Sequence, residues 1–436
     1  MRCAREAHAT AGIWLNRSEV LERRAGTAVQ CRQVCQFFQP GTWRATNQRC
    51  RPKGLKVDLF TAGWNQTSGW STPMPSWDGP GTLVLVFSSL DLLDDDAPLR
   101  AVVDAFPGSA MIGCSTSGEI LDDVVYDGSL TVAVARFERT TLAVESQPVS
   151  RSESADVGRT IGKRLRERGD DLAAMFVLGD GIDANGSTLA QGLTEGTGVK
   201  SVAISGGLAG DGSRFERTWV LVDGRPRSSY VTAVGLYGTS LEVGNGSDGG
   251  WTILGPERVI TRSEGNVLLE LDGHPALELY KTYLGERASG LPATALLFPL
   301  AIRASGSDGH ELIRIVMSVD ESRQSMSFTD DVPEGATAQL MRGTSERLVD
   351  AAQTAAMQAK LPGDEPGLAL AVSCVGRRLY LGQRVEEELE AVMSTLGSTN
   401  RLVGFYSYGE LSPVLGRDCA LHNQTMTITV LRERSA

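Results

Sequence analysis

The apolar positions settle into a rhythm that begins at Leu83. Leu83–Ser88 is an unbroken apolar run, which predicts a strand buried on both faces. Asp91–Phe106 opens acidic and then sets Leu99, Val102, Val103 and Phe106 at helical spacing. That pattern predicts an amphipathic helix with carboxylates near its positive end. Ala110–Ser115 and Leu130–Phe137 predict the next two strands. The same succession recurs at Ala173–Leu178 (strand), Thr188–Thr194 (helix), Val199–Ser205 and Trp219–Val222 (strands). It recurs again at Leu368–Ser373, Val385–Leu396, Arg401–Phe405 and Thr425–Leu431. Three rounds of strand, helix, strand, turn and strand predict an α/β fold. Repeated strand-helix-strand units form mixed β-sheets covered by helices, in two related domains.

The middle of the chain breaks this rhythm. Trp251–Glu270 alternates as two strands joined near Ser263-Glu264-Gly265, and Pro275–Leu284 reads as a helix with an early Pro. Leu312–Val319 and Ser325–Thr329 predict a hairpin, and Thr344–Ala359 a long helix capped by Thr344 or Ser345. A domain boundary is expected near residues 271–276. The expected parts are a basic, Cys-containing extension over 1–55, a first domain over 56–272 and a second over 273–436. Three tryptophans (Trp64, Trp70, Trp77) among Gly, Ser, Thr and Pro mark the entry to the first domain as mostly loop.

Two stretches within this pattern are nearly the same phrase. Residues 111–120 read Met-Ile-Gly-Cys-Ser-Thr-Ser-Gly-Glu-Ile, and residues 402–411 read Leu-Val-Gly-Phe-Tyr-Ser-Tyr-Gly-Glu-Leu. Each ends a buried strand with hydroxyls and a carboxylate, which is costly unless those groups find partners. The duplication points to two polar loops facing one shared site. Gly113 and Gly118 let the backbone turn, and Ser115, Thr116 and Ser117 both donate and accept. Glu119 and Glu410 can each hold an ammonium. Tyr406 and Tyr408 share a face if their strand continues. Gly206 and Gly207 open a glycine-dense run ending at Asp211, which permits close backbone approach but lacks the Lys-Ser/Thr of a phosphate loop. The expected ligand-binding set is Gly113, Cys114, Ser115, Thr116, Ser117, Glu119, Gly206, Gly207, Asp211, Tyr406, Tyr408, Glu410 and Asn423, with no catalytic residue and no metal ligand.

Charge and composition narrow the classes. The net charge of −11 over 436 residues argues against nucleic acid as a partner, and no apolar run is long enough to cross a bilayer. Residues 1–53 hold ten Arg and Lys against three Glu, and four of the seven cysteines (Cys3, Cys31, Cys35, Cys50). This extension is expected to be poorly ordered. Neither a disulfide framework nor a secretory signal is legible, so a cytoplasmic location is expected. The four histidines, His8, His274, His310 and His422, show no metal-motif spacing. No nucleophile elbow occurs, and Cys114 has no identifiable base, so an enzyme using Cys114 or Ser115, a hydrolase, is the remotest alternative.

The phrases at 113–120, 206–212 (Gly-Gly-Leu-Ala-Gly-Asp-Gly), 272–277 (Asp-Gly-His-Pro-Ala-Leu), 404–411 and 421–427 (Leu-His-Asn-Gln-Thr-Met-Thr) resemble, in that order, the signatures of FIST proteins. The resemblance covers about residues 80–430. It implies a FIST N-terminal and a FIST C-terminal domain and a sensory role in bacterial signal transduction, of the stand-alone type. It further implies a small-molecule ligand, with an amino acid proposed, and a separate signalling protein such as a histidine kinase as partner; Glu119 and Glu410 favour an amine-bearing molecule, and no cofactor is expected. The alternative it carries is a haem-binding nitric oxide sensor, in which His422 or His274 would be the axial ligand.

Overall fold

A computed structural model describes residues 57–93, 96–199, 201–303, 312–328, 331–414 and 418–434. The expected extension over 1–55, with His8 and its four cysteines, and His310 lie outside the described residues.

The three rounds of the sequence rhythm become three β-α-β units. In each, a central strand lies parallel to a second strand and antiparallel to a third. The central strand Thr82–Ser89 pairs parallel with Ala110–Thr116 and antiparallel with Ser129–Phe137. Leu172–Gly179 pairs in the same way with Ala203–Leu208 and Tyr230–Tyr237. Leu368–Cys374 repeats the arrangement with Arg401–Ser407 and Met426–Glu433. The third strand of the second unit is thus Tyr230–Tyr237. The expected strand at Trp219–Val222 is present as Val220–Val222, but it belongs to another sheet.

That displaced strand follows a rule common to all three units. After its second strand, each unit sends a short hairpin to the edge of a neighbouring unit's sheet. The first unit's hairpin (Glu119–Leu121, Val124–Tyr126) pairs with Arg401–Ser407 of the third. The third unit's hairpin (Gly409–Pro413, Cys419–His422) pairs with Ala203–Leu208 of the second. The second unit's hairpin (Val220–Val222, Arg225–Arg227) pairs with Ala110–Thr116 of the first. The exchange is therefore cyclic, and strands from both sides of residue 272 share the second and third of these sheets.

Packing explains why each central strand is apolar throughout. Its inner face joins one cluster shared by all three sheets, including Phe87, Phe176 and Phe405. Phe87 stacks on Phe405 with ring centroids 4.8 Å apart, a geometry adding about 1 kcal/mol beyond area burial. The outer faces lie under helices. Ala97–Ala105 buries Leu99 and Val102 in the cluster over the first sheet. Ser154–Arg168 and Gly186–Thr197 cover the second. Ser345–Ala359 and Glu386–Leu396 cover the third. Asn185 caps its helix by accepting from the Thr188 amide at 3.0 Å, and Thr344 does so from Arg347 at 3.3 Å.

Strands lying between Thr252 and Arg342 build a separate antiparallel sheet, with the helix Ala276–Leu284 and a core of its own around Tyr280, Phe328 and Leu340. The expected pair Arg258–Glu264 and Val267–Leu271 is present, and so is the hairpin Val316–Asp320 with Ser325–Phe328. Leu312–Arg314 pairs instead with Leu300–Arg303. No helix among the described residues is long and apolar enough to cross a membrane.

Candidate functional site

The two polar phrases are the places where a strand leaves one sheet and enters the next. Glycine sets the position of each departure. A Cβ on Gly113, Gly206 or Gly404 would collide with the carbonyl of its parallel neighbour, Val86, Val177 or Ala371 respectively. The three glycines occupy the same place in the three units. Gly206 also sits at φ +141, and Gly118 at φ +131 against the Arg378 guanidinium.

The phrases hydrogen-bond directly to each other. The Ser117 amide donates to the Tyr406 carbonyl at 2.8 Å, and the Tyr406 amide donates to Gly118 at 2.9 Å. Glu119 lies opposite Phe405, and Glu410 opposite Gly207. The glycine-dense run joins them. The Gly210 amide donates to the Ser115 carbonyl at 3.0 Å, the Tyr408 amide to Leu208 at 3.1 Å, and the Gly212 amide to Ser117 Oγ at 3.1 Å. Ser115 Oγ accepts from the Trp219 amide at 3.1 Å. Cys114 lies opposite Val220, and a Cβ on Gly207 would come within 2.7 Å of Val372.

The two glutamates have matching surroundings, and both are fully buried. Glu119 accepts from the Thr116 hydroxyl, from the Ser129 amide at 3.2 Å and from the Ser129 hydroxyl at 2.5 Å. Glu410 accepts from the Ser407 hydroxyl at 2.6 Å, the Thr425 amide at 3.2 Å and the Thr425 hydroxyl at 2.9 Å. Burial pushes both carboxyls up to about 8, against the pull of these hydrogen bonds. In the second unit the corresponding Ser229 amide donates to Asp180 instead, at 2.9 Å.

Asp211 is the buried anchor of the glycine-dense run. It accepts from the Tyr408 hydroxyl and from the amides of Phe215, Glu216 and Arg217 at 2.9, 3.0 and 2.9 Å. Burial alone would raise its pKa, but Tyr408 and the three amides outweigh that and hold it below the usual carboxylate value.

Tyr406 and Tyr408 do not share a face, because the strand breaks between sheets at residue 408. Tyr408 stacks on Phe215 with centroids 4.3 Å apart, whereas the Tyr406 hydroxyl donates to Glu388 at 2.8 Å beneath the third sheet's helices. Glu388 forms an ion pair at 2.9 Å with Arg377, both side chains being fully buried. Arg377 also donates to the carbonyls of Gly249 and Leu348, each at 2.7 Å. Neighbouring Arg378 donates to the Ser117 carbonyl and to Asp127, and lies 5.6 Å from the Tyr406 ring centre. Sequence reasoning missed Arg377, Glu388, Arg378, Ser129 and Thr425. Nothing in the sequence tells the sealed charges of Arg377 and Glu388 from solvated ones, and Ser129 and Thr425 gain meaning only once the crossing is known.

The remaining expected residues lie close by. Asn423 is fully buried between the last two strands. His422 lies opposite Glu410, with Nε2 3.2 Å from the Ser412 carbonyl, and burial lowers its pKa to about 4. His274 is exposed in the short strand His274–Pro275. A haem would need an imidazole nitrogen turned toward an apolar slot. One ring has Nε2 held against a backbone carbonyl, and the other lies at the surface. Burial, with Glu119 nearby, pushes the Cys114 thiol well up, which opposes a thiolate nucleophile. No cluster of metal-ligating side chains occurs among the described residues.

Family models match these same features. The FIST N domain matches residues 82–274, and the FIST C domain matches residues 276–413. The chain belongs to the FIST family. Its two domains are associated with signal transduction and small-ligand sensing, and FIST domains are not a known catalytic family. No curated protein matches the chain. The two FIST segments contribute strands to common sheets, and each segment's polar phrase is completed by the other.

Proposed function

We propose that this FIST protein is a non-enzymatic sensor of a small amine-bearing molecule such as an amino acid, and that the crossing of its two phrases is both binding element and transmission element. The observation that carries this reading is the pair of hydrogen bonds across the two domains, from the Ser117 amide to Tyr406 and from the Tyr406 amide to Gly118, flanked by two buried carboxyls. In the conformation described, Thr116, Ser129, Ser407 and Thr425 occupy Glu119 and Glu410. An ammonium reaches a carboxylate by displacing those hydroxyls, so binding and rearrangement of the crossing are one event. A ligand that favours the rearranged crossing shifts the relation of the domains by its differential affinity for the two states. The output passes to a separate signalling protein, a histidine kinase being the type expected.

Native mass spectrometry of freshly purified protein, followed by calorimetry with the molecule it reveals, tests this. Glu119→Gln combined with Glu410→Gln weakens an amine ligand by about 1–3 kcal/mol. Unchanged affinity in the double variant removes the carboxylates from the site. A strong visible absorption band from bound haem would replace the amine reading altogether.

A further inference from the structure

Glu119 and Glu410 are equivalent in a stricter sense than sequence likeness. Each is at the start of an exchanged hairpin, each accepts from a hydroxyl three residues earlier, and each accepts an amide and a hydroxyl from the residue leading into its unit's third strand. Neither has an ion-pair partner among the described residues. Arg378 is engaged with the Ser117 carbonyl and Asp127, and Arg377 with Glu388 and two backbone carbonyls. The other titratable groups facing Glu119 are Asp127 and Cys114. Those facing Glu410 are Cys374, Arg377 and the cross-strand His422. A buried carboxylate without a counter-charge is costly, whereas a neutral carboxyl can donate its proton to an adjacent hydroxyl.

We propose that Glu119 and Glu410 are paired proton-operated latches: neutral, each holds its hairpin closed on the neighbouring sheet, and loss of its proton to solvent loosens that crossing. This deepens the ligand reading by naming a regulation of the same site, since an ammonium would favour the ionised, loosened form. The sign follows from linkage. Closed, these carboxyls hold their protons up to about 8, and water-exposed glutamate releases its proton near 4.5. The closed form therefore binds more protons. Its advantage is complete below the exposed value and is lost as pH rises to about 8, with the opening constant rising up to about tenfold per pH unit for each carboxyl.

Hydrogen exchange of amides 115–121 and 404–411 in the full chain from pH 6 to 9, corrected for the base catalysis of exchange itself and without added ligand, tests the latch. The wild type should show an opening constant that rises with pH at both crossings. Glu119→Gln and Glu410→Gln should each flatten the rise at its own crossing, because the amide mimics the neutral carboxyl. Variants that keep the wild-type slope, or a wild type with none, overturn the proposal. Carbon-13 titration of wild-type glutamate carboxyls needs no substitution: two resonances titrating near 8 are expected, and ordinary titration of every glutamate overturns it. Loss of the ligand reading by calorimetry leaves these readouts untouched, so the two ideas fail separately.

Discussion

At the scale of single residues, the crossing is built from groups that tolerate little change. Gly404 sits against the Ala371 carbonyl, and a methyl there forces the parallel pair apart. Gly404→Ala is expected to cost about 3 kcal/mol in a denaturant titration. Gly255→Ala, whose added Cβ meets nothing nearer than Leu340 at 3.7 Å, is expected to be nearly silent. The Arg377–Glu388 pair gives a second expectation. Removing one partner leaves a buried charge uncompensated, so Glu388→Gln or Arg377→Met alone should cost about 3–5 kcal/mol. Replacing both by apolar residues should be less damaging than either single change. A double variant less stable than both singles in chemical denaturation would contradict this. The sequence showed the glycines, the hydroxyls and Glu119 and Glu410 plainly, because their pattern repeats. It hid Arg377 and Glu388, since an Arg-Arg pair and a run of four glutamates within five residues look the same whether solvated or sealed.

At the scale of elements, periodicity exposed each central strand because both its faces are apolar, one toward the shared core and one toward a helix. It did not reveal the helix Ser154–Arg168, whose sequence is mostly polar, with buried glycines at Gly158 and Gly162 where backbones approach. Nor did it place Val220–Val222, because pairing with a neighbouring unit leaves no local mark. Tyr406 and Tyr408 diverge for the same reason: period two holds only while a strand stays in one sheet. The hairpin Gly409–Pro413 depends on Tyr408, whose hydroxyl ties it to Asp211. Tyr408→Phe should destabilise the protein by about 1–3 kcal/mol and speed amide exchange at Phe215, Glu216 and Arg217. Unchanged protection of those three amides would show that Asp211 holds the loop without Tyr408.

At the scale of the whole molecule, cyclic exchange makes the two FIST segments mutually dependent. The third sheet contains Leu241–Asp248 and the hairpin from Glu119, and the second sheet contains the hairpin from Glu410. Cutting the chain between the segments should therefore not separate them. The duplicated phrase announced that the halves are related. The cyclic order was illegible, because it is fixed by pairings between residues far apart in the chain: Ile120 with Gly404, Gly206 with Leu411 and Cys114 with Val220. The most direct measurement is to insert a protease site at the Asp272-Gly273 turn, cleave the folded protein and follow its size by light scattering. The interlocked fold predicts that the two pieces stay together in native buffer and part only when unfolded. Two separately folded pieces that drift apart after cleavage would contradict it.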